Sequence, residues 1–222
     1  MASDDYGKMT SDDYKKVFSL LEPSNSDVKK ALEVALDTRK FEIDLYWKRA
    51  AYFWTFLAIT LAGYFTVLTA KEISYNEKGE ALVIISCLGV VFSVAWYFVN
   101  RASKFWQENW EKHVDMLENS VIGPLYKTVL CDADLHFIKL WGPYPFSVSK
   151  LNQILSLFVV VLFFVLAVST LHRHYQISWP PDPLSTVVVL LSIAAVATFC
   201  WKGRTRMKNA YVCAAIRTTK IS

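Results

Sequence analysis

The chain lacks the short motifs on which most enzymes depend. Its 222 residues include only seven Gly and four Cys. They form no Gly-rich phosphate loop, no Ser nucleophile elbow and no Cys or His spacing typical of a metal site. The four Cys stand apart from one another, and their positions do not suggest a disulfide framework. The sequence therefore predicts a protein that is not an enzyme and that uses no metal and no cofactor.

Charge is absent from four long apolar blocks, at residues 50–70, 81–99, 151–171 and 184–201. As helices, these blocks have about the length needed to cross the ~30 Å hydrocarbon core of a bilayer. They predict an all-α polytopic membrane protein with four transmembrane helices. A charge inside a span would mark an ion path or a proton relay, and the blocks contain none. The acidic, polar N-terminus has no apolar core, so we expect no cleavable signal peptide there.

The second apolar block continues without a break into a polar, helical stretch. Its apolar residues Trp106, Trp110, Val114, Leu117 and Val121 recur at steps of four, four, three and four. This spacing places them on one face of an α-helix, and the Gly-Pro pair that follows ends the pattern. A similar apolar stripe precedes the first block, and its residues are Val28, Leu32, Ala35, Ile43 and Tyr46. The first two spans are therefore predicted to extend into a helical-hairpin stalk.

An antiparallel hairpin in register brings together residues whose numbers sum to about 149 or 150. Three pairs of opposite charge obey this rule: Asp44 with Lys104, Arg39 with Glu111, and Asp37 with Lys112. Exposed ion pairs contribute only ~0–1 kcal/mol each. The pairs consequently support the register more than they stabilise the stalk.

The 24 Lys and Arg residues are distributed unevenly, since all but Lys71, Lys78 and Arg173 fall within residues 1–49, 101–150 and 202–222. Basic residues mark the cytoplasmic side of a membrane protein, so both termini and the stalk are predicted to be cytoplasmic. The predicted organisation is a cytosolic N-terminal segment with a short helix (1–26), the stalk with the first two spans (27–122), a cytosolic connector (123–150), the last two spans (151–201) and a basic cytosolic tail (202–222).

Two groups of residues are candidates for a further role, one for contact with lipid headgroups and the other for lining a pore. The basic tail offers Lys202, Arg204, Arg206 and Lys208 to lipid headgroups, at ~1 kcal/mol for each basic residue near an anionic surface. Small residues in the first two spans would line a pore between subunits, although such residues more often let helices approach closely. These residues are Thr55, Thr60, Gly63, Thr66, Ser86, Gly89 and Ser93.

The acidic residues of the stalk offer a further hypothesis. Glu111, Asp115 and Glu118 share one helix face, where a carboxylate metal site would be possible. Helical acids beside lysines usually form a solvated face, and that interpretation is favoured. The aromatic residues at the inner ends of the first two spans are typical of an interfacial belt. Trp106 and Trp110 lie beyond such a belt, which favours packing against the partner stalk helix or another subunit.

The stretches LYWKRAAYFW, VAWYFVNRASKFWQENWEKHVDMLE, IGPLYKTVL and YPFSVSKLNQILSLFV give the chain a family resemblance. From about Lys29 to Val168 it resembles the RipA family of small bacterial integral membrane proteins. The resemblance implies an inner-membrane protein with a cytosolic stalk and cytosolic termini, and it implies no reaction. The characteristic cluster carried over from it consists of Trp47, Arg49, Asn100, Arg101, Ser103, Trp106, Trp110, Glu111, His113 and Glu118.

Two classes of function fit these features. The first is a homo-oligomeric scaffold or sensor in the lipid bilayer, whose stalk uses Arg39 and the characteristic cluster to contact a soluble cytosolic protein. Such a protein would suit a stress response, host interaction or defence against phage, and no direct contact with nucleic acid is expected. The alternative is an oligomeric channel or pore-forming membrane effector. An enzyme based on Glu111, His113 and Asp115 has the least support.

Overall fold

The computed structural model describes residues 25–128, 146–177 and 183–203, and this part of the chain is almost entirely helical. Its helices are α1 (Asn25–Thr69), α2 (Tyr75–Leu117), α3 (Val148–Ile177) and α4 (Pro183–Lys202), with a short 3-10 turn at Glu118–Ser120 after α2. No strand occurs within the described ranges. The short N-terminal helix, most of the connector and most of the basic tail were predicted in segments that lie outside the described residues.

Four of the described helices are long and apolar enough to cross a membrane. The prediction of an all-α polytopic membrane protein is thereby confirmed. Both stalk helices are continuous with their spans, since α1 has 45 residues and α2 has 43. Neither helix contains a Pro, the residue that would remove a backbone hydrogen bond and kink it.

Helix α2 begins six residues earlier than the apolar pattern indicates, at Tyr75 rather than Ala81. The cause is an N-cap in the preceding turn. The Ser74 hydroxyl accepts from the Glu77 backbone N–H at 3.4 Å and donates to the Glu77 carboxylate at 2.8 Å. The first of these contacts satisfies one of the backbone donors that a helix start leaves open, so the polar residues 75–80 become helical.

The chain divides into two compact units, which are described separately. Within the described residues, unit 1 comprises 25–41 and 107–128, and unit 2 comprises 42–106, 146–177 and 183–203. Helices α1 and α2 contribute to both units, whereas α3 and α4 belong to unit 2.

Unit 1 is a helical hairpin held by one apolar cluster. Val28, Leu32 and Ala35 of α1 are buried together with Val114 and Leu117 of α2. These residues are the ones that the two apolar stripes place on facing sides of an antiparallel pair. The predicted hairpin and its register are therefore confirmed in unit 1.

Unit 2 packs α1, α2 and α3 around Leu57, Trp96 and Phe163, one residue from each helix. The Tyr64 and Thr170 hydroxyls also share a buried hydrogen bond of 2.9 Å between α1 and α3. Burial differs sharply among the four helices. The most apolar window of α2 is 44% buried, against 17% for α1, 17% for α3 and 6% for α4. Helix α2 is thus the central helix of unit 2, and the other three leave large apolar faces exposed.

Candidate functional site

A cluster of polar side chains joins three helices of unit 2, and we call it the polar seam: Tyr46, Arg49, Asn100, Ser103 and Asn152. The Asn152 amide of α3 donates to the Tyr46 hydroxyl of α1 and to the Asn100 carbonyl oxygen of α2, the latter at 3.3 Å. Arg49 donates to the Ser103 hydroxyl at 3.1 Å. The seam therefore connects α1, α2 and α3 near the ends of their apolar blocks.

Three of the five residues of the polar seam are deeply buried, and Arg49 and Asn152 are partly exposed. Tyr46, Asn100 and Ser103 are each 3% exposed or less. The Asn100 side-chain nitrogen finds no hydrogen-bond partner among the described residues. Arg49 is also 3.9 Å from the Glu42 carboxylate, which balances its charge. These hydrogen bonds hold the three helices together.

We expect Asn152→Leu to destabilise unit 2 by about 1–2 kcal/mol, the scale of hydrogen bonds between helices in membranes. The substitution keeps an apolar side chain of similar size but leaves Tyr46 and Asn100 without their donor. The midpoint of thermal unfolding in detergent measures the loss of stability. Gln153→Leu is the matched control, because Gln153 is the adjacent half-buried amide and its side chain makes no hydrogen bond with the polar seam. Equal melting temperatures for the two variants would contradict the role given to Asn152.

The turn that follows α2 in unit 1 is organised around Glu118, which is fully buried. Its carboxylate accepts the backbone N–H groups of Tyr126 at 2.6 Å and of Lys127 at 3.2 Å. The Lys127 ammonium is 3.9 Å away. Gly123 allows this return of the chain, since its φ of 75° lies in the left-handed region that other residues rarely adopt. Glu118 therefore fixes the segment that follows α2.

Arg39 of α1 contacts both α2 and the turn that follows α2. Its guanidinium is 3.6 Å from the Glu111 carboxylate, and it lies over the Tyr126 ring at 5.5 Å from the centroid. This contact confirms one of the three predicted charge pairs. The pairs of Asp44 with Lys104 and Asp37 with Lys112 stay predictions.

Two titratable groups of unit 1 are perturbed by burial. Burial raises the pKa of Asp115, and the charges of Glu118 and Glu111 act in the same direction against those of Lys127 and Arg39. Burial also lowers the pKa of His113, whose ring lies 5.0 Å from the Trp110 ring. Both shifts favour the neutral side chain.

The metal hypothesis for the stalk acids has no geometric support. Both Glu118 oxygens already accept backbone N–H groups. Across the described ranges, no group of three His, Cys, Asp or Glu side chains is placed to hold a metal ion. Glu118 instead holds the hydrogen-bonded turn of unit 1, and Glu111 pairs with Arg39.

The structure divides the characteristic cluster of the sequence between the two units. Asn100, Ser103 and Glu118 are buried, Arg49, Trp106, Trp110, Glu111 and His113 are partly buried, and Trp47 and Arg101 are exposed. Trp110 packs against the apolar cluster of unit 1, as the hypothesis of packing within the stalk requires.

Sequence reasoning missed Asn152, although an Asn at the start of an apolar span is itself a signal of hydrogen bonding between helices. Of the basic residues proposed for lipid, Lys202 is exposed at the end of α4, and Arg204, Arg206 and Lys208 lie outside the described residues.

The structure also corrects the set of candidate pore-lining residues. Thr60 is 7% exposed, and Ser86 and Ser93 are fully buried. Gly89 is buried against the Phe163 ring. These four positions face the interior of unit 2, where small residues let helices approach closely, so they do not line a conduit between subunits. Thr55 and Thr66 remain exposed on α1, and Gly63 is partly exposed.

Comparison with known proteins identifies the family. No curated protein and no solved structure matches the chain significantly. The sequence model of the octameric membrane protein family (8xMP) matches residues 29–172, which nearly coincides with the range of the resemblance seen in the sequence. The name RipA stays a prediction. Because the match covers well over half of the sequence, the chain belongs to the octameric membrane protein family.

Proposed function

We propose that the protein is a homo-octameric, non-enzymatic scaffold or sensor of the bacterial inner membrane, with both termini and the unit 1 hairpin in the cytosol. The observation that supports it most directly is the large apolar surface of unit 2. Only 17% of the α1 and α3 windows and 6% of the α4 window are buried within the subunit. Such faces need lipid or further subunits around them, and the family name indicates the latter.

The proposed orientation follows from the basic residues. Apart from Lys71, Lys78 and Arg173, every Lys and Arg falls within residues 1–49, 101–150 and 202–222, the segments that this orientation assigns to the cytosol. Lys and Arg accumulate on the cytoplasmic side of inner-membrane proteins. Placement in a bacterial inner membrane rests in addition on the resemblance to the RipA family.

The absence of an enzymatic role is supported by the chemistry of the two polar clusters. The polar seam uses its side chains to bind helices to one another, and Glu118 uses both oxygens to hold its own turn. Neither cluster combines a nucleophile with a base. Both are suited to fix the shape of a subunit.

A soluble cytosolic partner is proposed for the exposed apolar residues of unit 1. Leu125 is 64% exposed, Phe41 58%, Val34 56% and Ile122 47%. Residues of this kind in water commonly mark a protein interaction site. Roles in stress responses, host interaction or defence against phage are proposals that depend on the identity of that partner.

Two measurements test the proposed function: the oligomeric state of the purified protein and the capture of its soluble partner. Native mass spectrometry of the purified protein is expected to give eight copies of the chain. Pull-down from the source cells should recover a soluble protein, and Leu125→Glu should reduce its recovery at least tenfold. Ser120→Glu is the control for added negative charge, since Ser120 is another exposed residue of unit 1 and the change adds the same single charge. A monomeric mass would contradict the octamer, and equal recovery by wild type and Leu125→Glu would contradict the partner surface.

The second candidate function is a channel formed by the octamer. Its support is the exposure of Thr55, Thr66 and Thr69 on α1, where their side chains are available to a conduit. Their hydroxyls already donate to backbone oxygens of the preceding turn, at 2.9–3.0 Å. Ion flux through reconstituted liposomes would favour the channel, and its absence at all potentials would count against it.

A further inference from the structure

Three buried polar atoms in or beside the polar seam have no hydrogen-bond partner among the described residues. They are Glu42 Oε2 on α1, and Asn100 Nδ2 and Trp96 Nε1 on α2. Glu42 lies one helical turn before Tyr46 of the seam, and Trp96 lies one turn before Asn100. The seam and its immediate surroundings therefore contain more polar atoms than the described side chains can pair.

The two unpaired donors of α2 lie inside unit 2, away from its surface. Trp96 is fully buried and Asn100 is 2% exposed. A buried N–H group without an acceptor destabilises a fold, and native structures satisfy such groups with protein atoms or with ordered water. An acceptor small enough to lie between the helices would remove this cost.

The level of the bundle that holds Asn100 carries small side chains on the other two helices. Two hydrogen bonds between α1 and α3 join residues 106 positions apart, an offset that places Ala50 of α1 level with Ser156 of α3. The contact between the Trp54 and Trp96 rings places Ala50 level with Asn100 in the antiparallel pair of α1 and α2. Ala50 and Ser156 are both buried. Side chains of this size suit a site for a molecule as small as water.

Water fits the charges and the hydrogen bonds of this site better than a small anion does. The Arg49 guanidinium already has the Glu42 carboxylate 3.9 Å away, so an anion would bring an unbalanced charge into the bundle at high cost. Water accepts N–H groups and also donates. The Glu42 carboxylate can accept from it, and so can the Ser156 hydroxyl oxygen, whose own proton goes to a backbone oxygen of α3. The distance between Arg49 and Glu42 is also long enough for a water to lie between them.

We infer that the polar seam binds internal water, which accepts the side-chain N–H groups of Asn100 and Trp96 inside unit 2. Buried waters typically make about three hydrogen bonds to groups that the protein leaves unpaired, and their removal is costly. The partly exposed Arg49 and Asn152 border the site and connect it to the surface of unit 2. The inference concerns the interior of one subunit, so it does not depend on the number of subunits.

Proton-detected solid-state NMR of the ¹⁵N-labelled protein in lipid bilayers tests the inference. Magnetisation from water is expected to reach the Trp96 indole N–H and the Asn100 side-chain amide at least tenfold faster than the backbone N–H of Leu57. Leu57 is the internal control, because it lies in the same core as Trp96 and its N–H is bonded within α1. Trp96→Phe identifies the indole signal among those of the eight Trp residues.

Asn100→Leu distinguishes water bound at the seam from water that reaches Trp96 by another route. Leu has a similar size and no polar group, so it should displace the water and slow the transfer to the Trp96 indole at least fivefold. Gln153→Leu is the matched control, since it removes a neighbouring half-buried amide whose side chain makes no hydrogen bond with the seam. Circular dichroism should show the helix content of the wild type in both variants.

Each result decides for or against bound water. Transfer to the wild-type Trp96 indole that is no faster than transfer to the Leu57 amide would overturn the inference, and this measurement needs no variant of the seam. Undiminished transfer in Asn100→Leu would also overturn it, as would an equal loss in Gln153→Leu, because the water would then not depend on Asn100. Fast transfer in the wild type that is lost in Asn100→Leu alone supports the inference.

Discussion

Replacing Glu118 with Ala is expected to release the segment that follows α2, at a local cost of about 2–4 kcal/mol. The Glu118 carboxylate is fully buried and is the acceptor for the backbone N–H groups of Tyr126 and Lys127. A hydrogen bond to a charged group contributes ~1.5–3 kcal/mol. Hydrogen exchange at the Tyr126 and Lys127 amides reports these two bonds directly. Their protection should fall by roughly 30-fold to 1,000-fold, since each 1.4 kcal/mol corresponds to a factor of ten.

Two control variants make this measurement specific. Glu108→Ala removes an exposed acid from the same part of α2, and exposed substitutions usually change stability by no more than ~0.5 kcal/mol. Glu118→Gln keeps the shape and one strong acceptor oxygen, so its loss of protection should be intermediate. Unchanged protection at Tyr126 in Glu118→Ala would show that the carboxylate does not hold the turn.

Replacing Gly89 with Leu is expected to destabilise unit 2 by about 3 kcal/mol. A side chain at this position collides with the Phe163 ring, which is 1% exposed and packed with Leu57 and Trp96. The ring consequently has no free space into which it can move. Added carbon atoms in a well-packed core cost ~1–3 kcal/mol, and Leu adds four. Thermal unfolding in detergent should show a midpoint lower by roughly 6–12 °C, given ~2–4 °C per kcal/mol for a chain of this size.

A double variant tests whether Phe163 is the cause. Phe163→Ala opens space beside position 89, so Gly89→Leu should cost far less in that background than in the wild type. Residues in contact commonly show such coupling, whereas distant substitutions add. Additive losses in the double variant would mean that the collision with Phe163 does not explain the effect.

The parts of the fold that could be predicted are those governed by local periodicity. The apolar stripes of the stalk identify which residues of α1 and α2 face each other, and Arg39 with Glu111 fixes the register. These features depend on the 3.6-residue turn and on one antiparallel pairing. The start of α2 was missed because the N-cap formed by Ser74 with Glu77 overrides the polar composition of residues 75–80.

The candidate site was harder to predict because it joins distant parts of the chain. Asn152 and Tyr46 are 106 residues apart, and no sequence spacing indicates that their side chains meet. The same difficulty explains the pore-lining residues. A helix surrounded by other helices has no polar side to reveal its orientation, so the burial of Ser86 and Ser93 becomes visible only once α2 is seen at the centre of unit 2.

The connections between paired spans limit how the proposed sensor would receive a signal. Helices α1 and α2 are joined by residues 70–74 alone, and only residues 178–182 separate α3 from α4. On that side of the bilayer, an approaching macromolecule would find two links of five residues each, too small for an extended docking platform. Under the proposed sensor role, a stimulus would therefore arrive through the lipid around the spans, such as a change in thickness or tension, or from the compartment that holds the hairpin.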